Sequence, residues 1–181
     1  MSDRTALEAA LVARSVRHGD FVLASGKRST YYIDARRTTM SAEGQVLVGR
    51  LGLAAIRHAG WEAAAVGGLT MGADPVAYAI ARASADDPPI LDAFSVRKAA
   101  KEHGTGRRIE GCFSPDHPVV VVEDVITSGA SALHAIEAIL AVGGTVAGVL
   151  AVVDREEGGA AMIEAGGYKV VALTTTSRLG V

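Results

Sequence analysis

A run of apolar residues followed by two acids and a small polar loop is the segment best suited to chemistry. Residues 119–131 read VVVVEDVITSGAS, and the valines predict a strand, buried on both faces, that ends at Glu123 and Asp124. A loop over 125–130 and the start of a helix follow. Free N–H groups and hydroxyls at such a helix start bind phosphate. The two carboxylates instead suit vicinal hydroxyls, such as those of a ribose, or a hydrated cation.

A basic, glycine-containing segment precedes this block. Residues 94–111 read FSVRKAAKEHGTGRRIEG, and we predict a loop over 99–111. A charge run is most often a solvated surface. A basic loop punctuated by glycines would also suit a departing pyrophosphate, since its cations could close over the leaving group.

Two shorter blocks could recognise an organic ring and a carboxylate. Residues 21–34 read FVLASGKRSTYYID, which predicts a small hairpin rich in aromatic and β-branched side chains. Residues 152–155 read VVDR and place Arg155 at the end of a strand. A guanidinium there can bind a carboxylate through two parallel hydrogen bonds, although an isolated Asp-Arg pair is usually a surface ion pair.

Together the four blocks resemble those of the type I phosphoribosyltransferases. The apolar strand, the acid pair and the Thr-Ser-Gly loop are similar to that family's signature for phosphoribosyl pyrophosphate (PRPP). An Arg-Lys pair followed by Lys and His-Gly, and a Ser-Gly ahead of an aromatic strand, narrow the resemblance to the orotate phosphoribosyltransferases. The resemblance covers about residues 21–159.

This resemblance implies a fold and a reaction. The fold is α/β, with an open, mainly parallel central sheet flanked by helices, in a single domain over 1–181 whose residues 1–40 form a small hood over the base site. The reaction converts orotate and PRPP to orotidine 5′-monophosphate and pyrophosphate, in pyrimidine (UMP) biosynthesis. Mg²⁺ is held mainly through PRPP, with no protein ligand assigned. A homodimer with active sites shared across the interface is also implied.

The resemblance further implies residue roles. The catalytic residues would be Lys98, Lys101, His103 and Asp124. PRPP would be bound by Arg97, Lys98, Lys101, His103, Glu123, Asp124, Val125, Ile126, Thr127, Ser128, Gly129, Ala130 and Ser131. Orotate would be bound by Thr127 and Arg155, with backbone groups near Tyr32 and Ile33. Many members carry a lysine where this chain has Ala24, and some carry a charge near Thr70 and Met71, so those two roles are not transferred.

Hydrophobic periodicity predicts the elements that position these residues. We expect helices over 6–16, from Ser41 to near Gly60, from an Asp74 cap with Pro75 through Ala83, and over 131–142 and 160–165. We expect strands over 21–24, 31–33, 64–66, 90–94, 119–124, 146–153 and 169–174. Strands that alternate with helices predict a parallel α/β sheet.

Composition excludes several classes of protein. With 181 residues, 49% hydrophobic and 21% charged, the chain can bury a core. A net charge of −2 and only 4% aromatic residues argue against a nucleic-acid partner. The lone Cys112 rules out an internal disulfide and a cysteine zinc site, and favours a reducing compartment. No apolar run approaches the roughly 20 residues of a membrane span, so we expect a cytoplasmic protein with no membrane partner.

Two alternative functions stay open at this point. A regulator that keeps the PRPP pocket but has lost catalysis would need a DNA-binding module, and about twenty residues before the hairpin block are too few for one. A purine phosphoribosyltransferase would give no reason for Arg155, because its base carries no carboxylate. A P-loop ATPase is disfavoured, because Ala73 stands where the nearest glycine-rich stretch would need lysine.

Overall fold

The computed structural model describes residues 2–22, 28–99 and 108–181. The helices are α1 (Asp3–Arg14), α2 (Arg36–Thr39), α3 (Ala42–His58), α4 (Ala73–Asp86), α5 (Ala130–Leu140), α6 (Gly159–Ala165) and α7 (Thr176–Leu179). The strands are β1 (Val16–Val22), β2 (Arg28–Ile33), β3 (Ala65–Leu69), β4 (Asp92–Val96), β5 (Ile109–Gly111), β6 (Pro118–Ile126), β7 (Thr145–Asp154) and β8 (Val170–Thr175).

A six-stranded sheet forms the centre of the molecule, with strand order β5-β4-β3-β6-β7-β8. Every pairing in it is parallel except that of the edge strand β5, which runs antiparallel to β4. The predicted α/β fold with an open, mainly parallel sheet is therefore confirmed. The loops that leave the carboxyl ends of β3, β6 and β7 meet at one edge of this sheet, where ligands bind in folds of this kind.

The valines of β6 are buried because the sheet is covered on both faces. Val120 and Val122 pack into one core cluster, together with residues of α3 and α4. Val119 and Val121 point to the opposite face and pack with residues of α5. This alternation is what a strand imposes on successive side chains. It fixes the register of β6 and hence the directions of the acids that follow the valines.

A separate two-stranded antiparallel sheet, β1 with β2, lies at the N-terminal end. The buried hydroxyls of Ser15 and Thr38 lie 2.7 Å apart and link the end of α1 to α2. The hairpin predicted from the 21–34 block is thus present, but its first strand begins at Val16 rather than at Phe21. The predicted helix over 6–16 is likewise shifted, because the Ser2 side chain caps Thr5 and the helix starts at Asp3.

Several predicted boundaries are wrong for physical reasons. Asp74 does not cap α4, since Gly72 occupies that position and the Asp74 carboxylate accepts a hydrogen bond from Ser95 Oγ at 2.7 Å. The strand predicted to end at Asp124 continues to Ile126, because Val125 and Ile126 pair with β7. The strand β5 and the short helix α7 were not predicted. None of the described helices is both long and apolar enough to cross a membrane.

Candidate functional site

A cleft of about 450 Å³ opens at the carboxyl ends of β3, β6 and β7. From the N-terminal hairpin and α2 it is lined by Tyr32, Ile33, Asp34 and Arg36. From the loop after β3 it is lined by Leu69, Thr70, Met71 and Gly72, and from beyond β4 by Lys98. From the β6 and β7 ends it is lined by Glu123, Asp124, Val125, Thr127, Ser128, Ser131 and Arg155. Five segments that are distant in sequence thus converge on one cavity.

The turn between β6 and α5 forms a small cavity of about 80 Å³ beside this cleft. Gly129 caps α5 in a left-handed conformation, with φ of 80°. A Cβ on Gly129 would lie 2.7 Å from the carbonyl oxygen of Gly159, so only glycine fits the turn. The first N–H groups of α5 open onto this cavity without intrahelical partners, which is the geometry that binds phosphate.

The two acids at the end of β6 are withdrawn from water. Glu123 is 7% exposed, and burial together with the neighbouring Asp124 raises its pKa to about 8. Burial also raises the pKa of Asp124, although its Oδ1 accepts a hydrogen bond from the Val125 N–H at 2.9 Å. Burying carboxyl groups is costly, and buried carboxyls with raised pKa values concentrate at functional sites.

Arg36, which no motif in the sequence indicated, lies near the acid pair. Arg36 Nε donates to Asp34 Oδ1 at 2.8 Å, and this contact raises the pKa of Arg36. Asp124 adds a further attraction to the same guanidinium. A sequence signal exists, because Asp34 ends the hairpin block and Arg36 follows two residues later, but no periodicity or motif distinguishes Arg36 from Arg37.

The guanidinium of Arg155 lies at the base of the cleft and is almost completely buried. Its side chain is 5% exposed, and its Nη2 lies 2.8 Å from Glu157 Oε1. The Tyr31 ring covers the guanidinium at 4.8 Å from its centroid. Within the described residues, the buried Nε of Arg155 has no hydrogen-bond partner. The predicted Arg155, Tyr32 and Ile33 therefore come together around one end of the cleft.

The basic segment is described only at its two ends. Lys98 lines the cleft, whereas Arg97 lies outside the lining and pairs with Glu110 across β4 and β5 at 3.3 Å. Lys101 and His103 lie outside the described residues, so their predicted positions are not tested. The N–H of Arg97 donates to the carbonyl of Arg108 at 2.8 Å, which joins the two ends of the segment.

The predicted phosphate-binding residues over 123–131 lie around two adjoining cavities. Those that line the main cleft are Glu123, Asp124, Val125, Thr127, Ser128 and Ser131, and all of these except Asp124 also border the smaller cavity. Ile126, Gly129 and Ala130 border the smaller cavity alone. The Ile126 side chain itself is buried in the core, so only its backbone faces the site. Within residues 2–22, 28–99 and 108–181, no three His, Cys, Asp or Glu side chains gather into a metal-binding cluster.

Comparison with known proteins was made for sequence and for structure. No protein-family model matches the chain. Orotate phosphoribosyltransferase of Rhodopirellula baltica is 43% identical over 98% of this chain and 94% of its own length. Orotate phosphoribosyltransferase of Mycobacterium tuberculosis H37Rv is 45% identical over 98% of this chain and 97% of its own length.

Solved structures of orotate phosphoribosyltransferases are also similar to this chain. The crystal structure of the M. tuberculosis H37Rv enzyme in complex with PRPP is similar with a TM-score of 0.85 and 40% identity, over 99% of this chain and all of that one. Orotate phosphoribosyltransferase of Aeropyrum pernix is similar with a TM-score of 0.78 and 32% identity, over 96% of each chain. Adenine phosphoribosyltransferase of Leishmania donovani, at 16% identity, shares the fold alone, with a TM-score of 0.66.

Proposed function

Because this chain belongs to the orotate phosphoribosyltransferase family, we propose that the cleft at the carboxyl ends of β3, β6 and β7 is its active site. The chain is a pentosyltransferase of pyrimidine biosynthesis, which transfers the phosphoribosyl group of PRPP to orotate. One observation carries the proposal for the site. The cleft joins a helix start suited to phosphate, a buried acid pair suited to ribose hydroxyls and a buried arginine suited to a carboxylate.

We assign the 5′-phosphate of PRPP to the turn over 127–131. The backbone N–H groups at the start of α5 and the hydroxyls of this turn would hold that phosphate still. Glu123 and Asp124, at the neighbouring strand end, would then accept hydrogen bonds from the ribose 2′ and 3′ hydroxyls. An ionised Asp124 close to the ring would also favour the positive charge that develops on the ribose when its C1–O bond breaks.

The departing pyrophosphate needs positive charge. Among the described residues, Lys98 and Arg36 line the cleft and supply it. Lys101 and His103 are assigned to the same task from the sequence, as cations that close over the leaving group and exclude water. Arg36 thus joins the predicted set, and it adds a cation in a site whose positions 24 and 71 carry none.

We propose that Mg²⁺ enters with PRPP. Mg²⁺ prefers oxygen ligands and binds through one or two carboxylates, waters and substrate phosphates, which fits an acid pair better than a closed protein cage. The carboxylates of Asp124 and Glu123 have the chemistry to hold such an ion, whereas the third carboxylate of the cleft, that of Asp34, is paired with Arg36. When bound, the ion would neutralise charge on the pyrophosphate.

Three further features are proposed on the strength of the family. Residues 1–40 would act as a hood over the base, a role that the positions of Tyr32 and Ile33 on the cleft wall support. The whole chain, 1–181, would act as one domain in the cytoplasm. Two copies would form a homodimer in which the 94–111 segment of one subunit completes the site of the other. The exposed apolar side chains of Met71, which lines the cleft, and of Tyr78 in α4 support such an interface.

A complementation experiment tests the shared sites. We would mix inactive Lys101→Ala protein with inactive Arg155→Ala protein under conditions that exchange subunits. Shared sites give a mixed dimer with one intact site, so activity returns toward a quarter of the wild-type value at equal mixing. Sites confined to single subunits leave the mixture inactive.

An absorbance assay tests the reaction itself. Purified protein, Mg²⁺ and PRPP are mixed with orotate, and the orotate band is followed while parallel samples hold hypoxanthine, guanine, adenine or uracil. Loss of the orotate band that depends on PRPP and Mg²⁺ is the expected result. Turnover of another base in its place would contradict the role of Arg155. PRPP binding without turnover of any base would instead favour the regulator.

A further inference from the structure

The carboxylate-binding arginine of the cleft already holds a carboxylate that belongs to the chain. Glu157 Oε1 lies 2.8 Å from Arg155 Nη2. The Arg155 side chain is 5% exposed, whereas that of Glu157 is 26% exposed. The arginine is therefore enclosed by the protein, whereas its carboxylate partner lies at the border with solvent.

The ion pair leaves the arginine incompletely paired. In a guanidinium, the Nε and Nη2 donors share one edge, and a carboxylate bound along that edge accepts two parallel hydrogen bonds. Glu157 contacts the guanidinium at Nη2, and the buried Nε has no partner among the described residues. Glu157 therefore leaves the Nε donor unused, and a carboxylate aligned along the Nε–Nη2 edge would gain it.

Glu157 is not what fixes the backbone of Arg155. Thr176 Oγ1 donates to the carbonyl of Arg155 at 3.0 Å and lies 2.9 Å from Glu156 Oε2. The N–H of Ser177 donates to the same Glu156 oxygen at 2.7 Å. The turn after β7 is therefore anchored to α7 through Glu156. The Tyr31 ring, on β2, also covers the guanidinium. Glu157 therefore contacts only the guanidinium of Arg155 and does not position its backbone.

We propose that Glu157 substitutes for the carboxylate of orotate in the free protein and is displaced from Arg155 when orotate binds. The proposal rests on the proposed function, since it takes orotate as the ligand. Two carboxylates on one desolvated guanidinium repel each other, and the partly exposed Glu157 can leave toward water at low cost. Glu157 thus keeps a buried cation paired while the cleft is empty, and opposes orotate until the substrate replaces it.

This competition acts on one substrate only. PRPP is assigned to the turn over 127–131 and to the acid pair, so its binding does not require the guanidinium edge. A pyrimidine without a carboxylate, such as uracil, has nothing to exchange for Glu157 and leaves the ion pair intact. Glu157 accordingly lowers the affinity of the protein for orotate and leaves its affinity for an uncharged base unchanged.

The experiment compares Glu157→Gln with wild-type protein, with Glu164→Gln as the matched control. Glu164 is an exposed residue of α6, so its substitution removes the same charge without touching the cleft. At saturating PRPP, we expect Glu157→Gln to lower the KM for orotate by about two- to fivefold, the range for losing one competing ion pair. The KM for PRPP should stay within about twofold of wild type, and Glu164→Gln should change neither value.

Thermal unfolding without substrate adds a second readout. Glu157→Gln should lower the midpoint, since Arg155 loses its partner, and saturating orotate should restore it. An unchanged or higher KM for orotate in a folded Glu157→Gln protein would overturn the proposal, because it would make Glu157 a residue that orients Arg155 for the substrate. If Glu157→Gln does not fold, Glu157→Asp, whose carboxylate is one methylene short of the guanidinium, should lower the same KM. Wild-type protein that fails to consume orotate with PRPP would instead refute the proposed function.

Discussion

Gly72 offers a substitution that should damage the site while leaving the fold intact. Its backbone is helical, with φ of −62° and ψ of −40°, so alanine is acceptable to the main chain. An added Cβ would lie 2.4 Å from Asp124 Oδ1 and 2.7 Å from its Cγ. Ordinary contacts of this kind are about 3.4 Å or longer, so the carboxylate would have to move by about 1 Å.

The size of the expected effect follows from that displacement. The same oxygen accepts the hydrogen bond from the Val125 N–H at 2.9 Å, and the movement would break it. A displacement of about 1 Å in a catalytic group costs about 100-fold in rate. We therefore expect Gly72→Ala to lower kcat/KM for PRPP by about two orders of magnitude. Stability should change little, since the backbone conformation of Gly72 is one that alanine adopts without strain.

The assay is the initial rate of orotate consumption at varied PRPP, with a thermal unfolding curve for each protein. Gly166→Ala is the matched control, because Gly166 also has a helical φ of −75° and lies at the end of α6, away from the cleft. A Cβ there meets the Ile163 carbonyl at 3.1 Å, so a small adjustment suffices. A folded Gly72→Ala protein with the kcat/KM of wild type would show that the position of Asp124 does not matter.

Three further perturbations test other parts of the site. Burial and Asp124 raise the pKa of Glu123 from its ordinary 4.5 to about 8, so the free energy of unfolding should fall as the pH rises from about 5 to 8, by at most about 1.4 kcal/mol per pH unit. Denaturant titrations should find this dependence flattened in Glu123→Gln, and parallel curves would contradict the assignment. Arg36→Gln should raise the KM for PRPP about tenfold, as the loss of a charged contact does. Its neighbour Arg37→Gln should not, and equal effects would remove Arg36 from the site. Lys101→Ala should lower kcat far more than it weakens orotate binding, and comparable losses in both would refute its role at the transition state.

The sheet and the family could be predicted from the sequence because strong local signals agreed. Four consecutive valines ahead of an acid pair predict a buried strand end, which the structure confirms, and the polar turn that follows predicts a phosphate site. Comparison with known proteins confirms the family and the reaction, and the structure confirms the mainly parallel α/β fold. The predicted site residues that the structure describes line one cleft, apart from Arg97, which lies outside it, and Ile126, Gly129 and Ala130, which border the smaller cavity.

Other features depend on contacts between distant segments, which no local pattern contains. Arg36 looks like any surface arginine until the fold brings it opposite Asp124. The predicted strand ends two residues before β6 does, because only the pairing of β6 with β7 extends it through Val125 and Ile126. Asp74 looked like a helix cap because Pro75 follows it, but its carboxylate is taken by Ser95 from β4.

The hydrogen bond between the Arg97 N–H and the Arg108 carbonyl holds the two ends of the basic segment together, so the number of residues between them limits its reach. The segment leaves the sheet and returns to it at one paired position, so its length can vary without disturbing the register of β4 and β5. Ten residues lie between these two positions, and half of them fully extended reach at most about 17 Å. Insertions or deletions over 98–107 would therefore change which atoms the segment can contact while the sheet keeps its architecture. The length of the basic segment can thus vary while the pairing of β4 with β5 stays the same.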